Sequence, residues 1–414
     1  MIDSCSIEAA GLISIEQALQ KIRDCIKPIN VNERVVLKDA LGRILSETIK
    51  SPISIPPERN SAMDGYAFSS SDIINNQSFT LILAGTSWAG RPCNKKLNPG
   101  ECIRIFTGAV VPEGADSIIM QEHITKDANN IHFPESTKAK QYIRAAGSDI
   151  NQNTELLSAQ KKISAIDIGL IASAGIYDVS VKRKINIAFF STGDELCSIG
   201  QNLASGQVYD SNRYSLNALL SDNNCHIHDI GVIADNKQLL EKTLLSAART
   251  HDVIITTGGA SVGDADYIHE ILHKCGDVEF WKIAIKPGKP LAFGKINGCY
   301  FFGLPGNPVS VIATFHKIVI PALQYLSGIK EKKNLQIRAI CTTELKKEKG
   351  RQEYQRGILT QHDSGTFYVK SAGQQGSNIM SAMSKANCYI VLPIESEGVC
   401  SGQQITVEPF EVFI

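Results

Sequence analysis

The chain has 414 residues, a formal net charge of zero from 42 basic and 42 acidic side chains, and 43% hydrophobic residues. Its length suits two to four domains, and its hydrophobic share suits a soluble protein with buried cores. The balanced charge leaves no basic footprint for nucleic acid, and no apolar run approaches the roughly 20 residues of a membrane span. The eleven cysteines include no C-x-x-C pair and read as reduced thiols of a cytoplasmic protein, not as a disulfide frame or a zinc site. The N-terminus lacks the basic start and apolar core of a signal peptide.

Ser14 and Gln17 form a capping box, and Ile15, Ala18, Leu19, Ile22 and Ile26 recur at helical spacing until Pro28. The apolar segment 35–45 reads as packing. Three prolines between Ser51 and Pro57 predict an extended crossing. From Thr80 to Met120 short apolar runs alternate with turn residues, the rhythm of a small β-rich domain. Thr107 ends one of its strands and by itself reads as structural. Arg144, Gly147 and Asp149 form either a loop site or an exposed turn. The segment 164–175 predicts a helix that returns to pack on the first one, so that the β-rich segment is an insertion.

From Ile185 strand and helix alternate. Strands are predicted at 185–190, 227–233, 253–255 and 300–304, with helices from Tyr209 to about Leu220, over 238–248 and from Tyr267. This pattern predicts a parallel sheet covered by helices on both faces. Thr192-Gly193-Asp194-Glu195 follows the first strand, Asp235 the second, and Gly258-Gly259 the third, with Ser261, Gly263, Asp264 and Asp266 next. Paired glycines let a ligand approach the main chain, and the free N–H groups of a turn that opens a helix suit an anion. Carboxylates in the same turns oppose a bare anion but accept a divalent cation set between them and a phosphate. Lys282, Lys286 and Lys289 surround the turn Pro287-Gly288. Pro305-Gly306-Asn307-Pro308 ends the fourth strand, with Asn307 as N-cap of a helix over 309–326. After a charged linker at 330–333, alternating segments at 336–342, 354–359, 367–370, 389–393 and 404–409 predict a β-barrel or sandwich.

The stretches SAMDGYA, RIFTGA, VPEGAD, FFSTGDEL, YDSNR, TTGGASVGDADY, AIKPGKP, GLPGNP, QGS and MSKANCYIVLP occur together and in order. In this the chain resembles the MoeA family of molybdopterin molybdenumtransferases, to which the C-terminal part of gephyrin belongs, over nearly its whole length. The resemblance implies a multidomain α/β plus β fold. An elongated αβ domain covers 1–50 and 145–180, and a β-rich inserted domain covers 51–144. A three-layer α/β/α molybdopterin-binding domain, like the molybdopterin adenylyltransferase, covers 181–328, and a C-terminal β-barrel covers 329–414. It implies a homodimer whose cleft is shared between subunits, and insertion of molybdate into adenylylated molybdopterin with Mg²⁺-dependent hydrolysis and release of AMP. Transient contact with the adenylyltransferase and with apo-molybdoenzymes is implied as well.

Carried over residue by residue, the resemblance sets Asp194, Glu195, Asp235 and Asp266 around metal and pyrophosphate. Thr192, Gly193, Gly258, Gly259, Ser261 and Gly263 hold the same substrate. Lys282, Lys286 and Lys289 meet phosphate, pterin or molybdate, while Pro305 and Pro308 shape the cleft wall. Asp64, Thr107, Arg144 and Asp149 come across the dimer interface, and Arg356 and Ser377 serve the molybdate site. Glu58 and Arg59 stand where many members carry an aromatic residue and an aspartate, Ala145 or Ala146 and Ser148 where a second arginine and a glutamate are common, and Asn378 where a histidine is common. Two rival functions follow from the same motifs: a non-catalytic dimeric scaffold, and a molybdopterin adenylyltransferase.

Overall fold

The computed structural model describes residues 12–74, 77–221, 224–258, 267–329 and 334–410. Its central sheet takes the strands in the order Cys225–Ile233, Ile185–Thr192, Val253–Thr257, Cys299–Leu304, Pro290–Ile296 and Gly276–Lys282. The first four run parallel. Along Ile185–Thr192 successive side chains serve opposite faces. Ile187 and Phe189 enter one core with Leu216, Leu220 and Ile318, whereas Ala188 and Phe190 enter another with Leu240, Leu244 and Ile271. Burying each of these larger side chains contributes about 1.5–3 kcal/mol. Helices Ser211–Ser221 and Lys237–Ala248 therefore lie on opposite faces of the sheet, giving three layers.

The expected all-parallel sheet ends in an antiparallel edge. Cys299–Leu304 pairs back on Pro290–Ile296, and that strand pairs on Gly276–Lys282. The reason is Asn297-Gly298, whose φ values of 49° and 88° make the two-residue hairpin turn that this dipeptide favours.

The β-rich region is a six-stranded sheet in the order Ser117–Met120, Gly65–Phe68, Glu101–Ile105, Phe79–Ser87, Asn130–Phe133 and Thr125–Asp127. Phe68, Phe79 and Phe133 pack on one face, while Ile103, Ile105 and Ile118 pack on the other. Beside it Asn32–Val36 pairs with Asp178–Lys182, and Ile49–Lys50 with Glu155–Leu157, so segments far apart in sequence lie together.

The C-terminal region closes on itself. Gln352–Gln361 pairs with Phe367–Ser371, which pairs with Ile337–Cys341, then Gln404–Pro409, then Cys388–Leu392, and so back to Gln352–Gln361. These five strands form the expected barrel.

Two expectations need correction. Ser164 does cap a helix, Ala165–Ser173, but its Ile171 belongs to a small core with Leu45, Leu157 and Val181. The first helix, Ile15–Cys25, instead sets Ile15, Ala18 and Ile22 into the core of the α/β region. The two helices thus belong to different cores, because the stripe of the first matches the apolar helix behind the sheet. That helical run, Pro308–Leu326, is itself the second correction. It has 19 residues and a mean hydropathy of 1.4, long and apolar enough to cross a membrane by composition, but 67% of it is buried inside the protein.

Candidate functional site

The chain enters the central sheet at Ile185–Thr192, steps to Cys225–Ile233 on one side, then crosses to Val253–Thr257 on the other. Strand order reverses between the first and third of these strands, and such a switch point opens a crevice at the strands' carboxyl ends. Thr192, Gly193 and Gly258 sit there. Gly258 has φ +81°, and a Cβ on it would come within 2.2 Å of the Thr192 carbonyl oxygen. Only glycine lets the two strand ends approach so closely. Pro305 and Gly306, after the fourth strand, close the same edge, since a Cβ on Gly306 would lie 4.0 Å from the Gly258 Cα.

The acids of these turns are brought together in part. The Thr192 hydroxyl donates to the Asp235 carboxylate. The backbone N–H of Asp235 donates to Asp194 Oδ1 at 3.1 Å. Glu195 folds its carboxylate beneath Gly193, where a Cβ would meet Oε2 at 2.5 Å. Asp194, Glu195 and Asp235 are all exposed. Gly259, Ser261, Gly263, Asp264 and Asp266 lie outside the described residues. Among the described residues, no three His, Cys, Asp or Glu side chains are grouped closely enough to hold a metal by themselves. Mg²⁺ asks for less, because it commonly takes one or two carboxylates together with substrate phosphates and water. The adjacent Asp194 and Asp235, oxygen donors at a strand-end turn, fit that demand.

A second cluster joins the α/β region to the barrel. Ile285–Lys286 adds a strand to the barrel by pairing parallel with Gln352 and Glu353, so that Lys286 lies opposite Glu353. The Lys286 ammonium stands 3.4 Å from Glu353 Oε2. A cavity of about 550 Å³ opens here, with Lys286, Glu353, Gln375 and Gly376 among its walls. Arg356 is buried, and its guanidinium donates to the carbonyls of Gln374 at 3.1 Å and Gly376 at 2.9 Å. Burial lowers its pKa from the ordinary guanidinium value. Those two bonds fix the loop on which Ser377 stands.

The Ser377 carbonyl in turn accepts the N–H of Val309 at 3.0 Å. It satisfies one of the free donors at the start of the Pro308–Leu326 helix. Asn307 occupies the expected N-cap position, but its side chain makes no capping bond. Lys282 and Lys289 flank the same loop, where the Ile283 N–H donates to the Lys289 carbonyl at 3.1 Å.

The third cluster lies in the β-rich sheet. Asp64 Oδ1 accepts the Thr107 backbone N–H at 2.7 Å and its hydroxyl at 2.8 Å, which together hold the Asp64 carboxyl below the usual carboxylate range. Arg104 stacks between the rings of Tyr66 and Phe106, and Phe106 stacks on Trp88 at 4.0 Å. Arg144 is exposed in the short strand opposite Asn60, and the N–H of the exposed Asp149 donates to the Ile55 carbonyl at 3.0 Å.

Sequence reasoning passed over two residues of the strand-end site. Asn212 is 8% exposed and donates to the Gly306 carbonyl at 2.7 Å, while its Oδ1 is buried without a hydrogen bond. Asp210 is buried beside Arg213. The signal was YDSNR, two polar side chains at a helix start directly before an apolar stripe. Glu353 left no comparable signal, because its partner Lys286 is remote in sequence.

Three family models match the chain: the MoeA N-terminal region (domain I and II) over residues 13–175, a probable molybdopterin binding domain over 188–325, and the MoeA C-terminal region (domain IV) over 338–410. A molybdopterin molybdenumtransferase of Haemophilus influenzae is 42% identical over 401 residues, covering 96% of this chain and 99% of the relative. One from a Nostoc species is 34% identical over 383 residues, covering 91% and 88%. The crystal structure of a molybdopterin biosynthesis moeA protein from Pyrococcus horikoshii superposes with a TM-score of 0.83 at 26% identity, covering 96% of this chain and all of that one.

Proposed function

We infer the function from one premise: the chain belongs to the MoeA family of molybdopterin molybdenumtransferases. It is an enzyme of molybdenum cofactor biosynthesis that transfers molybdenum to molybdopterin. In the finer reading, the pterin arrives adenylylated. Water adds at the adenylyl phosphorus, the phosphoanhydride P–O bond breaks and AMP leaves; the two dithiolene thiols bond to molybdenum, and their two protons leave with one molybdate oxygen as water.

The observation that carries this reading is the switch-point crevice, where Gly258 meets the Thr192 carbonyl and Asp194 and Asp235 stand side by side. The glycine turns leave room for a pyrophosphate to lie against the main chain. Asp194 and Asp235 would hold Mg²⁺, with Glu195 and Asp266 as further oxygen donors. Bound there, the ion would neutralise negative charge on the phosphoryl oxygens. Lys282, Lys286 and Lys289 attract the polyanion, Lys286 and Arg356 face the oxyanion end, and Pro305 and Pro308 stiffen the wall between.

Asp64, Thr107, Arg144 and Asp149 make hydrogen bonds or strand pairs within their own part of the chain. In this reading they complete the cleft of a second subunit in a cytoplasmic homodimer. Delivery partners would be the adenylyltransferase upstream and apo-molybdoenzymes downstream. The domain limits at residues 50, 144, 180 and 328 belong to the same proposal.

The test is a reconstitution with adenylylated molybdopterin, molybdate and Mg²⁺, without ATP. Wild-type protein releases AMP and loads molybdenum onto the pterin, and Asp235→Ala does neither above background. AMP release that persists undiminished in Asp235→Ala would remove the switch-point acids from the mechanism.

A further inference from the structure

The cavity at the barrel junction holds a group at odds with an anion site. Glu353 is 4% exposed, yet it lines the cavity. Its Oε1 accepts from Gln355 Nε2 at 3.1 Å, whereas its Oε2 takes no hydrogen bond and has the Lys286 ammonium 3.4 Å away. The buried Arg356 and Lys347 also lie within its electrostatic reach, so Lys286 is the nearest of several cations around it; anion binding alone gives no reason to keep a buried carboxylate there. The Lys286 side chain is 39% exposed, so its ammonium faces both the buried acid and the open space.

We infer that Glu353 is a positioning residue that holds Lys286 and limits how tightly the cavity retains an oxyanion. The inference rests on Lys286 meeting an oxyanion, as proposed above. An ammonium carries three protons. With its charge drawn toward Glu353, the remaining donors still reach the cavity, but the carboxylate behind opposes the anion. The walls screen that opposition poorly, because they are protein and not water. A cargo oxyanion has to leave its lysines while bonds form elsewhere, and grip that persists only in the ground state slows that transfer. Glu344 and Lys346, also on the walls, are exposed and offset one another in sign. Glu353 is thus the buried counter-charge of the loop lysine.

The experiment is equilibrium dialysis of the whole protein against molybdate, with bound molybdenum counted by mass spectrometry, alongside turnover in the reconstitution above. Glu353→Gln keeps shape and removes charge. It binds molybdate about 5- to 20-fold tighter, the scale of one poorly screened charge at close range. In turnover its molybdate KM falls and its kcat falls with it. The tightening shrinks in the Lys286→Met background, where only the direct repulsion by Glu353 remains; an undiminished tightening there overturns the positioning role. A folded Glu353→Gln protein with an unchanged or weaker Kd overturns the inference. If that variant does not fold, Glu353→Asp, which keeps the charge but draws it back from Lys286, tightens binding less and in the same direction; no tightening there also overturns it. Wild-type protein that binds molybdate but never loads the pterin counts against the proposed function, while the Kd comparison still decides the role of Glu353.

Discussion

The switch-point crevice and the barrel junction hold their candidate residues in opposite ways. In the crevice Asp194, Glu195 and Asp235 are exposed, and the backbone is what is fixed, down to the closeness of Gly258 and Thr192. At the junction Arg356 and Glu353 are buried, and the charges are held by remote partners. Arg356 is locked onto two carbonyls, Glu353 faces Lys286, and the nearby Lys317 pairs with Glu408 from 91 residues away. In the proposed function a metal and a phosphate would arrange these flexible carboxylates around themselves, so the crevice would need only a main chain that leaves space. A small oxyanion, as proposed for the junction, would bring too few contacts to order its own site and would need charges placed beforehand.

Buried charge sets the largest expected effect. The Lys317 ammonium lies 4.5 Å from the Tyr354 ring and 5.1 Å from the Tyr389 ring, and burial pushes its pKa down to about 8. Lys317→Met leaves Glu408 buried without a counter-charge and should cost about 3–5 kcal/mol in urea unfolding. Lys317→Met with Glu408→Leu should recover most of that loss, which a role in packing alone does not predict.

Next comes the crevice backbone. Gly258→Ala forces a Cβ against the Thr192 carbonyl from a left-handed conformation, and about 2–3 kcal/mol of stability should go. By contrast, Asp194→Asn should leave the urea midpoint within about 0.5 kcal/mol of wild type, since its carboxylate is exposed. Equal costs for the two would erase the contrast between fixed backbone and free side chain.

The smallest effect is in the β-rich sheet. Asp64 is held low first by the Thr107 N–H and then by the hydroxyl. Thr107→Val removes only the hydroxyl, so the Asp64 carboxyl should rise partway toward its ordinary value in a carbon-detected NMR titration. A carboxyl lowered on folding stabilises above its unfolded value of about 4 and gives that up as pH falls through its folded value. The variant therefore has less of this stability to lose in acid. No movement of Asp64 would show that the N–H alone sets its value.

Legibility in the sequence follows the same division. Ser14 and Gln17 cap a helix as read, and Val253 to Thr257 is a buried strand ending at the glycine turn, because three or four neighbouring residues decide each feature. All five barrel strands were readable from alternation. Asn297-Gly298 was readable as a hairpin but was overshadowed by the alternation of strand and helix around it. What could not be read depends on partners brought in by the fold. The helix at Pro308 is capped by the Ser377 carbonyl and not by the adjacent Asn307, the first helix joins the α/β core and not the core of Ala165–Ser173, and Glu353 acquires meaning only opposite Lys286. Of the candidate site, the turns were legible and the pairings were not.

The lysine loop is clipped from two ends of the chain. Ile13 accepts the Ala284 N–H at 2.7 Å, and the Ala284 carbonyl accepts the Gln352 N–H at 2.9 Å. The first clip can close only once Ala284 has emerged, and the second only when Gln352 follows. A nascent chain can therefore finish the sheet around Val253–Thr257 while the wall beside Lys286 still lacks the strand that completes it. The ribosome releases a protein that gains the wall beside Lys286 last, and any truncation before Gln352 leaves the junction cavity without it.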